Sequence, residues 1–404
     1  MKTMKILNIG NGKVGSVLCK LLLKEEKIKA IICCDLQIKN KIKNKKITYK
    51  KINAGNSKEV INLLKKEKPD IVINNSLPIF NENILKCCLK CKINYIDLAS
   101  YWDYTPNSKT ALYEVEQLKF NEKFIKNKLT GLINAGVSPG LTNLLARECS
   151  EHLDKTNEIR IRLLEDTKTD KLCFAWSKEW LLDEIATKPL VYKNNKFELG
   201  RCFGEEERFE FPGDNGIKNV CLIAQEEIGT IPLYIKTKHI NIKMYDNQVE
   251  MSKFMHKLDL ISKKEIQIGK EKISPLQFMT RILPDTPDMH KFSSFDEAVF
   301  GLVVEAEGKK SNKNHQISYS VMFPSQKEVN KLKLDASFIA YATALMTKFF
   351  ILSFDKIKQF GVFPPENLNE TVRHYIIDSL KKDKSINILY KSEVLATPFK
   401  NTLK

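Results

Sequence analysis

Apolar positions along this chain keep switching between two periods. Ile6-Leu7-Asn8-Ile9 is a short, mostly apolar run. After Gly10-Asn11-Gly12-Lys13-Val14-Gly15, the residues Val14, Val17, Leu18, Leu21 and Leu22 recur at helical spacing, and a second apolar run, Ile28 to Cys34, ends on Asp35. The alternation continues with strands over 46–52, 71–74, 95–98 and 130–134, and helices over 58–66, 81–90 and 112–126. Six strands with helices between them predict a doubly wound parallel α/β domain over residues 1–138. The pattern then changes. Strand-like runs at 158–164, 220–223, 240–244, 298–305 and 316–321, set off by Gly, Pro and Asn turns, predict a mixed, largely antiparallel sheet over 139–333, with few helices. Helical spacing returns at 336–350 and 370–380, and the segment 334–404 is expected to complete the first domain.

The first thirty-five residues carry the most specific chemistry. Gly-x-Gly-x-x-Gly between a strand and a helix, with an acid closing the next strand, is the layout of a dinucleotide-binding unit. Gly10 permits the tight turn, Gly12 lets the backbone approach a pyrophosphate, and Gly15 lets the helix pack closely on its strand. Asn11, Lys13 and Val14 open the helix, whose N-terminal N–H groups and positive dipole end face the phosphates. Asp35 accepts hydrogen bonds from both ribose hydroxyls and repels a 2′-phosphate, which favours NAD. The lysines at positions 39, 41, 43, 45 and 46 keep NADP possible.

Composition narrows the classes. A chain of 404 residues forms two or more domains. The net charge of +17 comes mostly from lysine, accompanied by abundant Ile and Asn, as an AT-rich coding sequence would produce. No basic stripe interleaved with aromatics accompanies it, so nucleic acid is not an expected partner. No apolar stretch reads as long enough for a bilayer, and the first strand occupies the place of a signal peptide, so no membrane and a cytoplasmic location are expected. The ten cysteines read as free thiols. Cys87, Cys88 and Cys91 lie on an amphipathic helix without further ligands at paired spacing, so no metal is expected.

Ligands of open parallel sheets bind beyond the carboxyl ends of the strands. That places Asn75, Ser76 and Pro78, after the fourth strand, and Ser100 and Tyr101, after the fifth, at the nicotinamide half of the site. Asp97 reads as a cap for the turn after its strand. In the second domain, Trp176, Ser177 and Lys178 would form a wall and polar floor for an amine substrate. Arg201, Arg281 and Lys178 are candidate carboxylate anchors, Arg being suited to two-point contact. Glu226-Glu227 reads as a solvated acidic turn.

Several motifs together resemble the saccharopine dehydrogenase family, including its carboxynorspermidine dehydrogenase-like members. They are Gly10 to Gly15; Glu67 to Asn74; Asn94-Tyr95-Ile96-Asp97-Leu98-Ala99; and Asn134-Ala135-Gly136-Val137-Ser138-Pro139-Gly140-Leu141-Thr142-Asn143, with Leu283-Pro284-Asp285 and Gly361 to Glu366 in support. The resemblance implies NAD(P)-dependent chemistry at a C–N bond of an amino-acid-derived secondary amine, whether in lysine or in polyamine metabolism. It also implies a homodimer formed through the second-domain sheet. A general acid/base must manage the nitrogen proton, and Tyr101 is the candidate. Ser138 stands where many relatives carry Asp, so a proton-transfer or substrate role there has moved or lapsed. Two further readings follow: carboxynorspermidine dehydrogenase itself, condensing aspartate semialdehyde with a diamine, or a non-catalytic NAD(H)-binding sensor or scaffold.

Overall fold

The computed structural model describes residues 3–38, 41–101, 114–169 and 172–395. The chain forms two compact units. The first comprises Met1–Leu144, Leu334–Ala336 and Ala340–Lys382, and the second Leu145–Lys333, Ser337–Ile339 and Asp383–Lys404. In chain order the strands of the first unit are β1 (Met4–Ile9), β2 (Ile28–Asp35), β3 (Ile47–Lys51), β4 (Ile71–Asn74), β5 (Asn94–Asp97) and β6 (Thr130–Leu132). The second unit supplies β7 (Lys155–Asp166), β8 (Leu190–Lys193), β9 (Lys196–Leu199), β10 (Glu207–Phe211), β11 (Gly216–Leu222) and β12 (His239–Asp246), then β13 (Ile266–Ile268), β14 (Glu271–Ile273), β15 (Val299–Lys310) and β16 (Lys313–Met322). The chain then returns to the first unit for β17 (Gly361–Phe363) and ends in the second with β18 (Asn387–Val394).

The first sheet runs β17-β6-β5-β4-β1-β2-β3, parallel throughout. Helices cover such a sheet on both faces, so its central strands are apolar on both. Leu7, Ile9, Val72, Ile84, Leu85 and Phe124 belong to one continuous core. Cys34, Cys87 and Cys88 pack in that core as small apolar residues, and burial pushes the Cys88 thiol up. Strand order reverses between β1 and β4, which opens a crevice at their carboxyl ends.

The second unit holds a nine-stranded sheet, with β10-β11-β12-β7-β15-β16-β18 in order and β8 and β9 branching from β12. Only β7 and β12 pair in parallel, so the sheet is mixed and largely antiparallel. Helices at Lys178–Ala186, Glu227–Tyr234, Val249–Lys257, Pro275–Ile282 and Gln326–Lys331 exceed the few that the pattern suggests. Each is nine residues or shorter, too few turns for a helical period to stand out.

Alternation along β7 sorts its side chains onto two faces. On one, Arg160 pairs with Glu305 at 2.6 Å, and Asp166 with Lys168 and Lys218 at 2.8 and 3.2 Å. Between them Arg162, only 1% exposed, pairs with Glu207, whose other oxygen takes Lys243 at 2.7 Å. The other face carries Ile159, Ile161 and Leu163, in register with Ile240, Ile242 and Met244 of β12.

Two expectations need amending. Residues beyond Asp383 do not complete the first domain, because β18 pairs with β16 of the second sheet. And Phe338–Lys356 is long and apolar enough to cross a membrane by length and composition; 83% of the apolar window is buried, the mark of a core helix.

Candidate active site

The glycine turn is built by close backbone approach. Gly10 has φ +109°, and a Cβ there would sit 2.5 Å from the carbonyl of Asn75. A Cβ on Gly15 would meet the Gly10 carbonyl oxygen at 2.1 Å, so helix Lys13–Leu22 rests directly on the turn. Gly12 differs: a Cβ there meets nothing within 4 Å. Gly12 is also the N-cap residue of that helix, with no side chain capping the first turn. An open backbone surface in front of an uncapped helix N-terminus fits a dinucleotide pyrophosphate. Asp35 reinforces the turn, accepting from the N–H of Asn11 at 2.6 Å and of Gln37 at 3.0 Å.

Across the crevice, Asn75 donates to the buried Asn8 side chain, which in turn donates to the Gly10 carbonyl at 2.7 Å. Asn74 accepts from both N–H and hydroxyl of Ser76 and donates to Asn81 at 2.8 Å. Pro78 is buried and starts the turn Pro78–Phe80, a packing role.

From Asn81 a polar network spreads over the carboxyl ends of β4, β5 and β6. The Asn81 amide donates to the Ala99 carbonyl and to Glu116, and Glu116 also accepts from the N–H of Tyr101 at 2.8 Å. Asp97 accepts from the N–H of Asn134 at 2.7 Å and from Gln117 at 3.1 Å. The buried Ser100 hydroxyl donates to the Asn134 side chain, and Asn134 itself takes φ +56°. Burial pushes the Asp97 carboxyl up to about 7 against its hydrogen bonds, and the Glu116 carboxyl up to about 8. One oxygen each of Asn75, Glu116 and Gln117 and the Asn134 amide nitrogen lie buried without a hydrogen-bond partner among the described residues, an arrangement suited to a polar ligand.

Sequence reasoning brought Asn75, Ser76, Ser100 and Tyr101 to this edge but missed Glu116 and Gln117, which no motif marks, and read Asp97 only as a cap. Tyr101 is 40% exposed, and the residues 102–113 that follow lie outside the described residues. Of the expected helix over 112–126, the first two positions lie outside the described residues, and the rest is not one helix but a turn, Glu116–Phe120, and a short helix, Asn121–Lys126.

Both acids hold a proton near neutrality that the unfolded chain releases at ordinary carboxyl values. They therefore weaken the fold as pH rises from that range, and the penalty is complete above about 8. Glu116→Gln keeps the accepting oxygen and removes the ionisation. Its melting temperature is expected to match the parent near about pH 5 and to exceed it by several degrees near about pH 9. Equal differences at both pH values would refute this.

Ser138 is half-buried and joined to Pro139 by a cis peptide bond. The turn closes on Gly140, at φ +133°, whose N–H donates to Asn143, and Asn143 donates to Glu366 at 3.1 Å. Gly140 and Asn143 thus fix the entry to helix Leu141–Glu151.

In the second unit the predicted substrate residues separate. Ser177 caps helix Lys178–Ala186, accepting from the N–H of Trp180. Lys178 is 5% exposed and donates to the Leu283 carbonyl and to Asp285, tying the helix to the Leu283-Pro284-Asp285 turn. Trp176 is half-buried, and Arg201 and Arg281 are exposed. Glu226 and Glu227 are buried, not solvated.

Comparison with known proteins agrees with this layout. Residues 6–132 match the saccharopine dehydrogenase NADP binding domain, and residues 136–386 the saccharopine dehydrogenase C-terminal domain. A carboxynorspermidine synthase from Vibrio cholerae is 25% identical over 399 residues, covering 91% of this chain and 92% of that protein. A carboxyaminopropylagmatine dehydrogenase from Synechocystis is 23% identical over 295 residues, covering 70% and 72%. Among solved structures, the saccharopine dehydrogenase (L-Glu forming) from Saccharomyces cerevisiae shares the fold, with a TM-score of 0.67 at 12% identity over 97% of this chain and 100% of that one. This chain belongs to the saccharopine dehydrogenase family and is an NAD(P)-dependent oxidoreductase acting at the C–N bond of amine or imine substrates.

Proposed function

We propose that the chain reductively condenses a carboxylate-bearing aldehyde with a diamine, giving a carboxylated polyamine. The observation that carries this reading is the near end-to-end match to a carboxynorspermidine synthase. A nicotinamide bound there would supply the hydride that reduces the imine carbon. The protein's own residues seat and protonate. Gly10 to Gly15 hold the pyrophosphate and Asp35 the adenosine ribose, while Asn75, Ser76 and Ser100 line the nicotinamide half. Glu116, protonated at neutral pH and bonded to the Tyr101 backbone, stores the proton that the nitrogen needs, and Tyr101 relays it. Ser138 contributes a hydroxyl where many relatives carry a carboxylate. A cytoplasmic homodimer, paired through the second sheet, completes the reading.

Asp35 supports NADH as the donor, since its carboxylate stands at the end of β2 beside the glycine turn. Asp35→Ser is expected to shift the NADH-to-NADPH preference at least about tenfold toward NADPH. An unchanged ratio of kcat/KM values would overturn that assignment.

The test of function is loss of NADH or NADPH absorbance with aspartate semialdehyde and 1,3-diaminopropane, run beside the reverse reaction on carboxynorspermidine and on saccharopine. Turnover with the diamine supports the reading, and turnover with saccharopine alone replaces it. Cofactor binding without turnover on any pair favours a sensor.

A further inference from the structure

Within the first unit, one carboxylate organises two buried amide side chains. Asp97 closes β5, and both of its oxygens are engaged. One accepts from the backbone N–H of Asn134 at 2.7 Å and the other from the Gln117 side chain at 3.1 Å. The Gln117 amide nitrogen also donates to the Ala99 carbonyl at 3.3 Å. Both of its partners are acceptors, so the nitrogen is turned toward them and the oxygen stands on the other side. Asn134 is fixed the opposite way. Its side-chain oxygen accepts from the Ser100 hydroxyl at 2.8 Å, so its nitrogen is the end without a role. Both residues are 0% exposed, and neither Gln117 Oε1 nor Asn134 Nδ2 has a hydrogen-bond partner among the described residues.

A buried amide end without a partner is costly, and Asn134 is held besides in a left-handed backbone at φ +56°. Such atoms mark a place where something outside the chain completes the network. Here they are one donor and one acceptor, tied to a single carboxylate and to the successive residues Ala99 and Ser100. A primary carboxamide offers the matching pair, a carbonyl oxygen beside an NH2 group. An ionised carboxylate brings no donor and an ammonium no acceptor, so each would satisfy one end alone.

Resting on the nicotinamide half placed above at Asn75, Ser76 and Ser100, we infer that Gln117 and Asn134 recognise the nicotinamide carboxamide. Asn134 donates to its carbonyl oxygen, and Gln117 accepts from its NH2 group. Asp97 touches neither and is a positioning residue that holds both. Two hydrogen bonds to one ring substituent fix the rotation of the ring about its glycosidic bond, and with it the face turned to the substrate.

Calorimetric titration of the full chain with NADH, with reduced 3-acetylpyridine adenine dinucleotide and with ADP-ribose tests this without turnover. The acetyl analogue keeps the carbonyl and replaces NH2 by methyl, and ADP-ribose lacks the ring. Wild type is expected to bind NADH about tenfold more tightly than the analogue. Gln117→Leu should weaken NADH to the level of the analogue, so that the ratio falls within about twofold of unity. Asn134→Gly, which keeps the left-handed backbone accessible, should weaken NADH and the analogue alike, by about tenfold, since both carry the carbonyl. ADP-ribose should stay within about twofold throughout. Equal binding of the two dinucleotides by wild type, or a ratio that Gln117→Leu leaves unchanged, overturns the inference, and water alone then serves the buried atoms. A variant that loses ADP-ribose as well is misfolded, and the wild-type comparison then decides. ADP-ribose bound as tightly as NADH would overturn the nicotinamide placement itself.

Discussion

Gly12→Ala is expected to fold like the parent and to bind NADH about ten- to a hundredfold more weakly, whereas Gly15→Ala is expected to lose the fold of the first unit. The two glycines stand three positions apart, and the same methyl group acts on different things. At Gly15 the added carbon falls 2.1 Å from the Gly10 carbonyl oxygen and 3.0 Å from its carbon, backbone atoms that cannot swing aside as a side chain would. Relief requires prising the helix Lys13–Leu22 from the turn, which opens the packing of buried Val17, Leu18 and Leu22. At Gly12 the carbon points into open space, so stability is untouched. That space is where a pyrophosphate must lie against the backbone, and a methyl group holds it off. Circular dichroism and titration of NADH fluorescence separate the outcomes. A Gly12→Ala protein that binds NADH normally would remove the glycine turn from the cofactor site.

Glu207→Ala is expected to destabilise the second unit by about 3–5 kcal/mol. Glu207 is the single carboxylate between Arg162 and Lys243, and both cations lie under the sheet surface, at 1% and 8% side-chain exposure. Burial alone would raise the Glu207 carboxyl, but Arg162 and Lys243 together hold it below its ordinary value. Removal leaves two like charges facing each other without water. Solvation then has to be restored by opening the edge where β10 meets β11. Trp176 and Trp180 both lie in the second unit and report its unfolding in urea by fluorescence. A loss below about 1 kcal/mol would show that the cations find solvent without unfolding.

What could be read from the chain was what repeats locally. The βαβ unit, its glycines and Asp35 lie within thirty-five consecutive residues, and the β4 range 71–74 matches the structure residue for residue. The active-site acids were a different case. Glu116 joins Asn81 and Tyr101 across gaps of thirty-five and fifteen residues, and no periodicity encodes such a meeting. Asp97 takes Gln117 across a gap of twenty in the same way. Ser177 and Lys178 misled in the opposite sense. A polar pair between two tryptophans resembles a pocket floor, yet one is a helix cap and the other a strut to the Asp285 turn. Composition marks which residues are able to do chemistry, while tertiary contacts decide whether they are already engaged.

The order in which strands leave the ribosome has its own consequence. β17 closes the edge of the first sheet and β18 the edge of the second, and both follow residue 333. During synthesis, β6 and β16 therefore wait as open edges, each offering unpaired backbone to other strands. A premature stop or a proteolytic nick near Leu334 would strip both sheets at once, and the truncated product would face aggregation from two edges. Neither unit can be excised as a contiguous fragment. Quality control of this protein is concentrated at its carboxyl end, far in sequence from the glycine turn that binds the cofactor.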